Sequence, residues 1–211
     1  MIRFVDISLE SLDKEISRVL SYDKFEEETL ARQISTLCRM ALTIMARTDS
    51  LYYSFEHTVF SARIALEIIG SIYSRHGFIR RPEALHIISS TLFCNVGIIR
   101  GVLEGDKKGR ALIGEGKLIN IDEHCSDSAL WKHRIVRSSL FIENEPLLQN
   151  LLNKDIMYSA FENSSINKRA RIKSQTMTDK YCRATQIIAL MAHPNYQKCL
   201  ARLYWSAYEG G

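Results

Sequence analysis

Hydrophobic residues recur along most of this chain at spacings of three, four and seven, the period of helices that turn one face to a core. Residues 7–22 carry Ile7, Leu9, Leu12, Ile16, Val19 and Leu20 in that rhythm, with Asp6 placed as a cap. A second helix is predicted over about residues 25–47, with Leu30, Ile34, Leu37, Ala41, Ile44 and Met45 as its stripe. Glu26, Glu27 and Glu28 fall in its first turn, where they suit the positive end of the helix dipole. Asp49-Ser50 breaks the pattern. A third helix begins near Ser54 and runs to about His76, where Gly77 closes it. Val59, Ala62, Ala65, Leu66, Ile69 and Tyr73 give it the broad apolar face of a central element. Pro82, whose missing N–H costs nothing in a first turn, opens a fourth helix through Leu85, Ile88, Leu92 and Phe93 that ends at Gly97.

From Gly101 to Asp127 the periodicity dissolves, and half of the chain's 10 glycines gather there. The alternating segments Ala111-Leu112-Ile113 and Lys117-Leu118-Ile119 predict a small hairpin across Gly114-Glu115-Gly116. An irregular stretch of this length is either a functional element such as a lid or a mobile solvent loop. Helical patterns return over residues 128–142, with Leu130, Ile135 and Leu140, and over about 146–161. Residues 163–179 are polar and basic (Lys168, Arg169, Arg171, Lys173), an exposed connector or, more sharply, a phosphate-binding patch. A last stretch from about Thr178 carries Ile187, Ile188 and Met191, is interrupted by Pro194 and resumes through Tyr196, Leu200, Leu203 and Tyr204. The expectation is an all-α bundle of six to eight helices with at most one small hairpin. It forms a single domain over residues 1–211, with residues 1–24 as a helical extension.

Composition narrows the function classes. At 211 residues, 46% hydrophobic and 25% charged, the chain can bury a core without staples. A net charge of +4, scattered along the chain, is too mild to imply nucleic acid. Cys38, Cys94, Cys125, Cys182 and Cys199 form no CxxC pair, which suits reduced buried thiols. An acidic residue at position 6 and the lack of an apolar h-region argue against a signal peptide, and no apolar run reaches the roughly 18 residues of a membrane span. GxGxxG, Walker and GxSxG motifs are absent. A soluble cytoplasmic protein is expected, its partner a small phosphorylated ligand or another protein, with homo-oligomerisation left open.

Chemistry-bearing side chains concentrate in two places. Tyr53 and His57, four positions apart, would project from one helical face; Cys94 and Asn95 end the next helix, and Gly97 lets the backbone turn there. These segments read Tyr52-Tyr53-Ser54-Phe55-Glu56-His57-Thr58 and Phe93-Cys94-Asn95-Val96-Gly97-Ile98-Ile99-Arg100-Gly101. A third reads Arg183-Ala184-Thr185-Gln186-Ile187-Ile188-Ala189-Leu190-Met191-Ala192-His193-Pro194-Asn195-Tyr196. In that order they resemble the HD-domain phosphohydrolases, all-helical enzymes that include cyclic-nucleotide phosphodiesterases. The likeness, over about residues 25–208, is to a bacterial subgroup labelled metal-dependent phosphohydrolases. Its segments read Tyr-His-Ser-Phe-Glu-His-Thr, Leu-Cys-His-Asp-Ile-Gly-Tyr-Val-Arg-Gly and Arg-Ala-Ala-Asp-Leu-Ile-Gly-Gln-Leu-Ala-Asp-Pro-Asn-Tyr.

The resemblance implies a metal pocket where Tyr53, His57, Cys94, Asn95, Arg100, His133 and Gln186 converge, but this chain departs from the pattern at most ligand positions. Only His57 keeps its ligand type; Cys94 and Asn95 replace His-Asp, Gln186 replaces a late Asp, and Tyr53 stands for a proton-donating His. His133 matches a further His, while Val136 falls where an acid is expected. Hard divalent cations need anionic oxygen, and Asn95 and Gln186 offer neutral carbonyls. The expectation is a decayed centre with no catalytic residue and no cofactor, serving as a ligand-binding, regulatory or interaction module. The alternative is an active phosphohydrolase for a phosphoester or nucleotide, with Mn, Fe, Mg or Zn on non-standard ligands. Other options are a mononuclear Zn or Cu site on His57, Cys94 and His133, Cys94 as a nucleophile, or a plain hydrogen-bonded polar patch of Tyr53, His57, Cys94, Asn95 and Gln186 in the core.

Overall fold

The computed structural model of the chain describes residues 2–20, 25–114, 116–164 and 176–210, with the backbone alone at 2, 3, 25 and 26. Among them run nine α-helices: α1 (Ile2–Val19), α2 (Phe25–Met45), α3 (Phe55–His76), α4 (Arg81–Phe93), α5 (Arg134–Asn144), α6 (Pro146–Leu151), α7 (Lys154–Asn163), α8 (Met177–Met191) and α9 (Tyr196–Glu209). Two 3-10 segments, Val96–Ile98 and Asp127–His133, and an antiparallel pair, β1 (Arg110–Leu112) and β2 (Leu118–Asn120), complete the all-α fold with its single small hairpin. None of these helices is long and apolar enough to cross a membrane.

Helix α4 is the axis. Every residue from Ala84 to Phe93 is buried, because α2, α3, α7 and α8 surround it. Two of its buried hydroxyls are satisfied within the helix: Ser90 and Thr91 both donate to the Ile87 carbonyl. The stripe on α2 faces inward as its periodicity predicts, with Leu30, Ile34, Leu37, Ala41 and Met45 at 4% exposure or less. On α3, Ser54 caps one end, and Gly77, at φ 74°, closes the other in the left-handed region that suits glycine.

Three sequence expectations need correction. Helix α1 starts at Ile2, so Asp6 lies inside it and faces Arg39 at 3.7 Å, and Ile7 points outward at 62% exposure. The helix expected over 128–142 opens instead as a 3-10 segment, and the one over 146–161 is two helices. The second break has a clear cause. The Asn153 N–H is drawn to His86 Nε2 at 2.9 Å, and the Asn153 side chain accepts from the Asp155 and Ile156 N–H groups, starting a new helix. Of the basic stretch, Lys168, Arg169, Arg171 and Lys173 lie outside the described residues.

Residues 101–127 do not hang free. Arg137 of α5, wholly buried, uses all five N–H donors, three on this region and two on the turn just before it. Nε donates to the Gly97 carbonyl at 2.6 Å, and two further donors reach the Ile99 and Leu112 carbonyls at 2.9 and 2.6 Å. The remaining two make a bidentate pair with Asp106, both at 2.8 Å. Asp106 in turn accepts the Leu103 and Leu112 N–H groups. The hairpin appears where predicted, in register Arg110↔Asn120 and Leu112↔Leu118, turning through Gly114 and Gly116 at φ 118° and 74°.

Candidate functional site

The entry to α3 builds the first side of the site. Ser54 Oγ accepts the His57 N–H at 3.3 Å and the Thr58 hydroxyl donates to the Ser54 carbonyl at 3.0 Å, so the helix starts at Phe55. Tyr53 therefore sits before the helix and shares no helical face with His57. The turn into the helix brings the two rings together instead, edge to face at 6.2 Å, while Tyr52 lies 4.6 Å from the His57 ring. Burial pushes the His57 pKa down to about 4; nearby Gln186 offsets this in part and His193 adds to it. The imidazole is thus neutral at pH 7, and its buried Nε2 has no hydrogen-bond partner.

The end of α4 supplies the second side. Cys94 is fully buried and donates its S–H to the Thr91 carbonyl at 3.4 Å, which leaves it a packed thiol without access for a substrate. Asn95 follows at 5% exposure, and from α8 the Gln186 amide donates to Cys94 Sγ at 3.4 Å, joining positions 92 apart in sequence. Tyr53, Asn95 and Gln186 line one cavity of about 260 Å³, together with Leu200, Leu203 and Tyr204 of α9. His57 and Cys94 touch this lining from behind, through the two tyrosine rings and through Gln186.

Residues not anticipated from sequence complete the cavity. Trp131 donates Nε1–H to Tyr53 Oη at 2.7 Å. Arg134, 6% exposed, places its guanidinium carbon 5.3 Å from the Trp131 ring and 5.9 Å from the Tyr53 ring. Its Nη1 reaches only the Trp131 carbonyl, at 3.3 Å, and its Nε is buried with no partner. No carboxylate lines the cavity, and none of the ion pairs among the described residues involves Arg134. Burial raises the Tyr53 pKa, against the lowering influence of Arg134 and of the Trp131 hydrogen bond, with Cys94 raising it further; the phenol stays protonated.

Gly97 has a different role from the one its place after α4 suggests. It is not among the glycines with positive φ; a Cβ there would stand 2.1 Å from the Arg134 carbonyl oxygen and 2.6 Å from the Ser138 nitrogen. Its absent side chain is what lets α5 cross the α4 terminus.

Two other predicted residues lie elsewhere. Arg100 pairs with Asp127 at 2.9 Å and Asp49 at 2.7 Å, tying the α2–α3 connection to the Asp127–His133 segment, and does not line the cavity. His133 is also outside the lining; burial lowers its pKa, and so do Arg137, Lys132 and Lys117, the last of which places it toward the hairpin. A soft metal site on His57, Cys94 and His133 is not assembled. Among the described residues, no three His, Cys, Asp or Glu side chains cluster so as to hold a metal ion. The converging donors are a neutral imidazole, a buried thiol and two carboxamides beside a fixed cation. They do not fit a pair of hard divalent cations.

The chain matches the model of the Npun_R2479-like family over residues 4–211 and belongs to that family. No curated protein and no solved structure matches it. The likeness to HD-domain phosphohydrolases thus rests on the three motifs alone.

Proposed function

We propose that this protein is a small-ligand-binding module on an HD-like helical scaffold whose cavity has exchanged metal-dependent catalysis for direct recognition. The charge of the cavity carries this proposal. Of its residues Tyr53, Asn95, Trp131, Arg134 and Gln186, none is anionic and one is a buried cation. A divalent ion there would lack carboxylate compensation and would face the Arg134 charge, whereas an uncompensated buried ion costs several kcal/mol. Without such an ion, no group in the cavity can ionise water near pH 7. Cys94, sealed behind Gln186, is out of reach as a nucleophile. What remains is a concave, mixed apolar and polar site, a little below the roughly 300–1,000 Å³ usual for ligand pockets.

Metal affinity tests this directly. Elemental analysis of purified protein should find substoichiometric Mn, Fe, Mg and Zn. A ligand present at 100 times its Kd stabilises a fold by about 2.7 kcal/mol, worth roughly 5 to 10 °C of Tm at this size. Mn²⁺ in excess should produce no such rise. Two ions per chain, or an Mn²⁺ shift of that size, would sink the proposal in favour of an active phosphohydrolase.

A further inference from the structure

Accepting that the cavity is a ligand site, we infer that its ligand is a small organic oxyanion, a carboxylate or a phosphomonoester, seated on Arg134. Buried guanidinium groups normally carry a carboxylate or a full set of hydrogen bonds. Three residues further along, Arg137 has both, with every donor used and Asp106 as its counter-ion. Arg134 has neither: one long contact to the Trp131 carbonyl, a buried Nε with no partner, and two aromatic faces. Ring faces attract a cation but do not fill its N–H donors. The missing partner is therefore an acceptor bearing negative charge, and Arg134 lines a cavity from which it can arrive.

The rest of the cavity sets the size and character of the ligand's body. Leu200 and Leu203 form an apolar wall, and Tyr53 and Trp131 present rings near the guanidinium. Asn95 and Gln186 add polar contacts without charge to the lining. A volume of about 260 Å³ admits a compact molecule and excludes a dinucleotide or a polymer. The carboxylate and the phosphomonoester share the same anchor, and paired probes separate them.

The test uses the full chain and four probes: benzoate, phenyl phosphate, inorganic phosphate and neutral benzamide, followed by calorimetry and ligand-observed NMR at low salt. Benzoate or phenyl phosphate should bind at least about tenfold more tightly than benzamide, as a charge-assisted hydrogen bond predicts. Arg134→Gln should weaken the anion about 10- to 100-fold and leave benzamide unchanged. Leu203→Trp, which fills the cavity from α9, should abolish binding of all the probes. If Arg134→Gln fails to fold, the wild-type anion-to-neutral ratio together with Leu203→Trp decides. Benzamide binding as tightly as its anionic counterparts, or an Arg134→Gln protein that keeps full anion affinity, overturns the anion assignment while sparing the binding-module proposal. No binding of any probe overturns both. Inorganic phosphate binding that survives Leu203→Trp places the anion outside the cavity and overturns the assignment.

Discussion

Replacing Asp106 with Asn changes one atom and should cost a large part of this fold's stability. Among the described residues, Asp106 is the only carboxylate paired with Arg137, whose side chain has 0% exposure, so the substitution leaves a buried guanidinium without its counter-ion. Breaking a buried pair by removing one partner typically costs about 3–5 kcal/mol. The Asn amide would also present its own donors to an Nη group that now meets a carboxylate oxygen at 2.8 Å. Against a total of roughly 5–15 kcal/mol, and at about 2–4 °C per kcal/mol for a chain this long, Tm should fall by roughly 6 to 20 °C. Arg137→Met should cost still more, since it orphans the Gly97, Ile99 and Leu112 carbonyls as well as Asp106. Urea denaturation followed by circular dichroism measures both, and trypsin cleavage after Lys107 and Lys108 reports whether the 101–127 segment has come loose. Burial by itself would raise the Asp106 pKa, but Arg137 and the Leu112 and Leu103 N–H groups hold it below the usual carboxylate value. The stability it contributes is therefore present above the unfolded pKa near 4 and is lost as pH falls through the folded value, so the gap between wild type and Asp106→Asn should close in acid. A loss under about 1 kcal/mol at neutral pH would mean the pair behaves as a solvated surface bridge, and the segment's order would need another explanation.

His57 titrates at about 4 in the fold against an ordinary 6.5, so the unfolded chain binds more protons between those values and stability falls as pH drops through that window. The contribution is about 3 kcal/mol by pH 4, and His57→Gln should flatten the slope of unfolding free energy between pH 6.5 and 4; an unchanged slope refutes the burial argument. Gly97→Ala should destabilise by at least the roughly 1–3 kcal/mol of an overpacked core, because its Cβ would meet the Arg134 carbonyl at 2.1 Å. A neutral result in thermal melts would mean that α5 can move away freely.

The helices were legible because their stripes are long. The α3 caps were legible too, since Ser and Gly at those positions have local reasons to be there. The convergence of His57, Asn95 and Gln186 came from the order of the motifs, as no spacing rule joins residues this far apart. Arg134 was legible and overlooked: the inward register of Leu130 and Phe141 passes through positions 134 and 137, so both arginines should have been read as buried. His133 lies one position off that register, which turns it away from the cavity. The break at Asn153 could not be read, because it depends on a His86 acceptor 67 positions away.

Gly97 links the stability of the fold to the chemistry of the cavity. The same close crossing that sets the Arg134 carbonyl against Gly97 also seats the Ser138 hydroxyl on the Gly97 N–H at 2.9 Å and the Arg137 Nε on its carbonyl. One backbone contact therefore fixes the register of α5, and that register sends Arg137 to a paired interior position and Arg134 to an unpaired one. A shift of α5 away from Gly97 would lengthen the Arg137 contacts and withdraw the Arg134 guanidinium from the Tyr53 and Trp131 rings. Loss of stability and loss of anion affinity should thus appear together in Gly97→Ala, while Leu203→Trp should separate them. A cavity whose charge depends on so tight a backbone crossing is positioned by the core itself, which is what direct recognition of an anion requires where no metal ion organises the site.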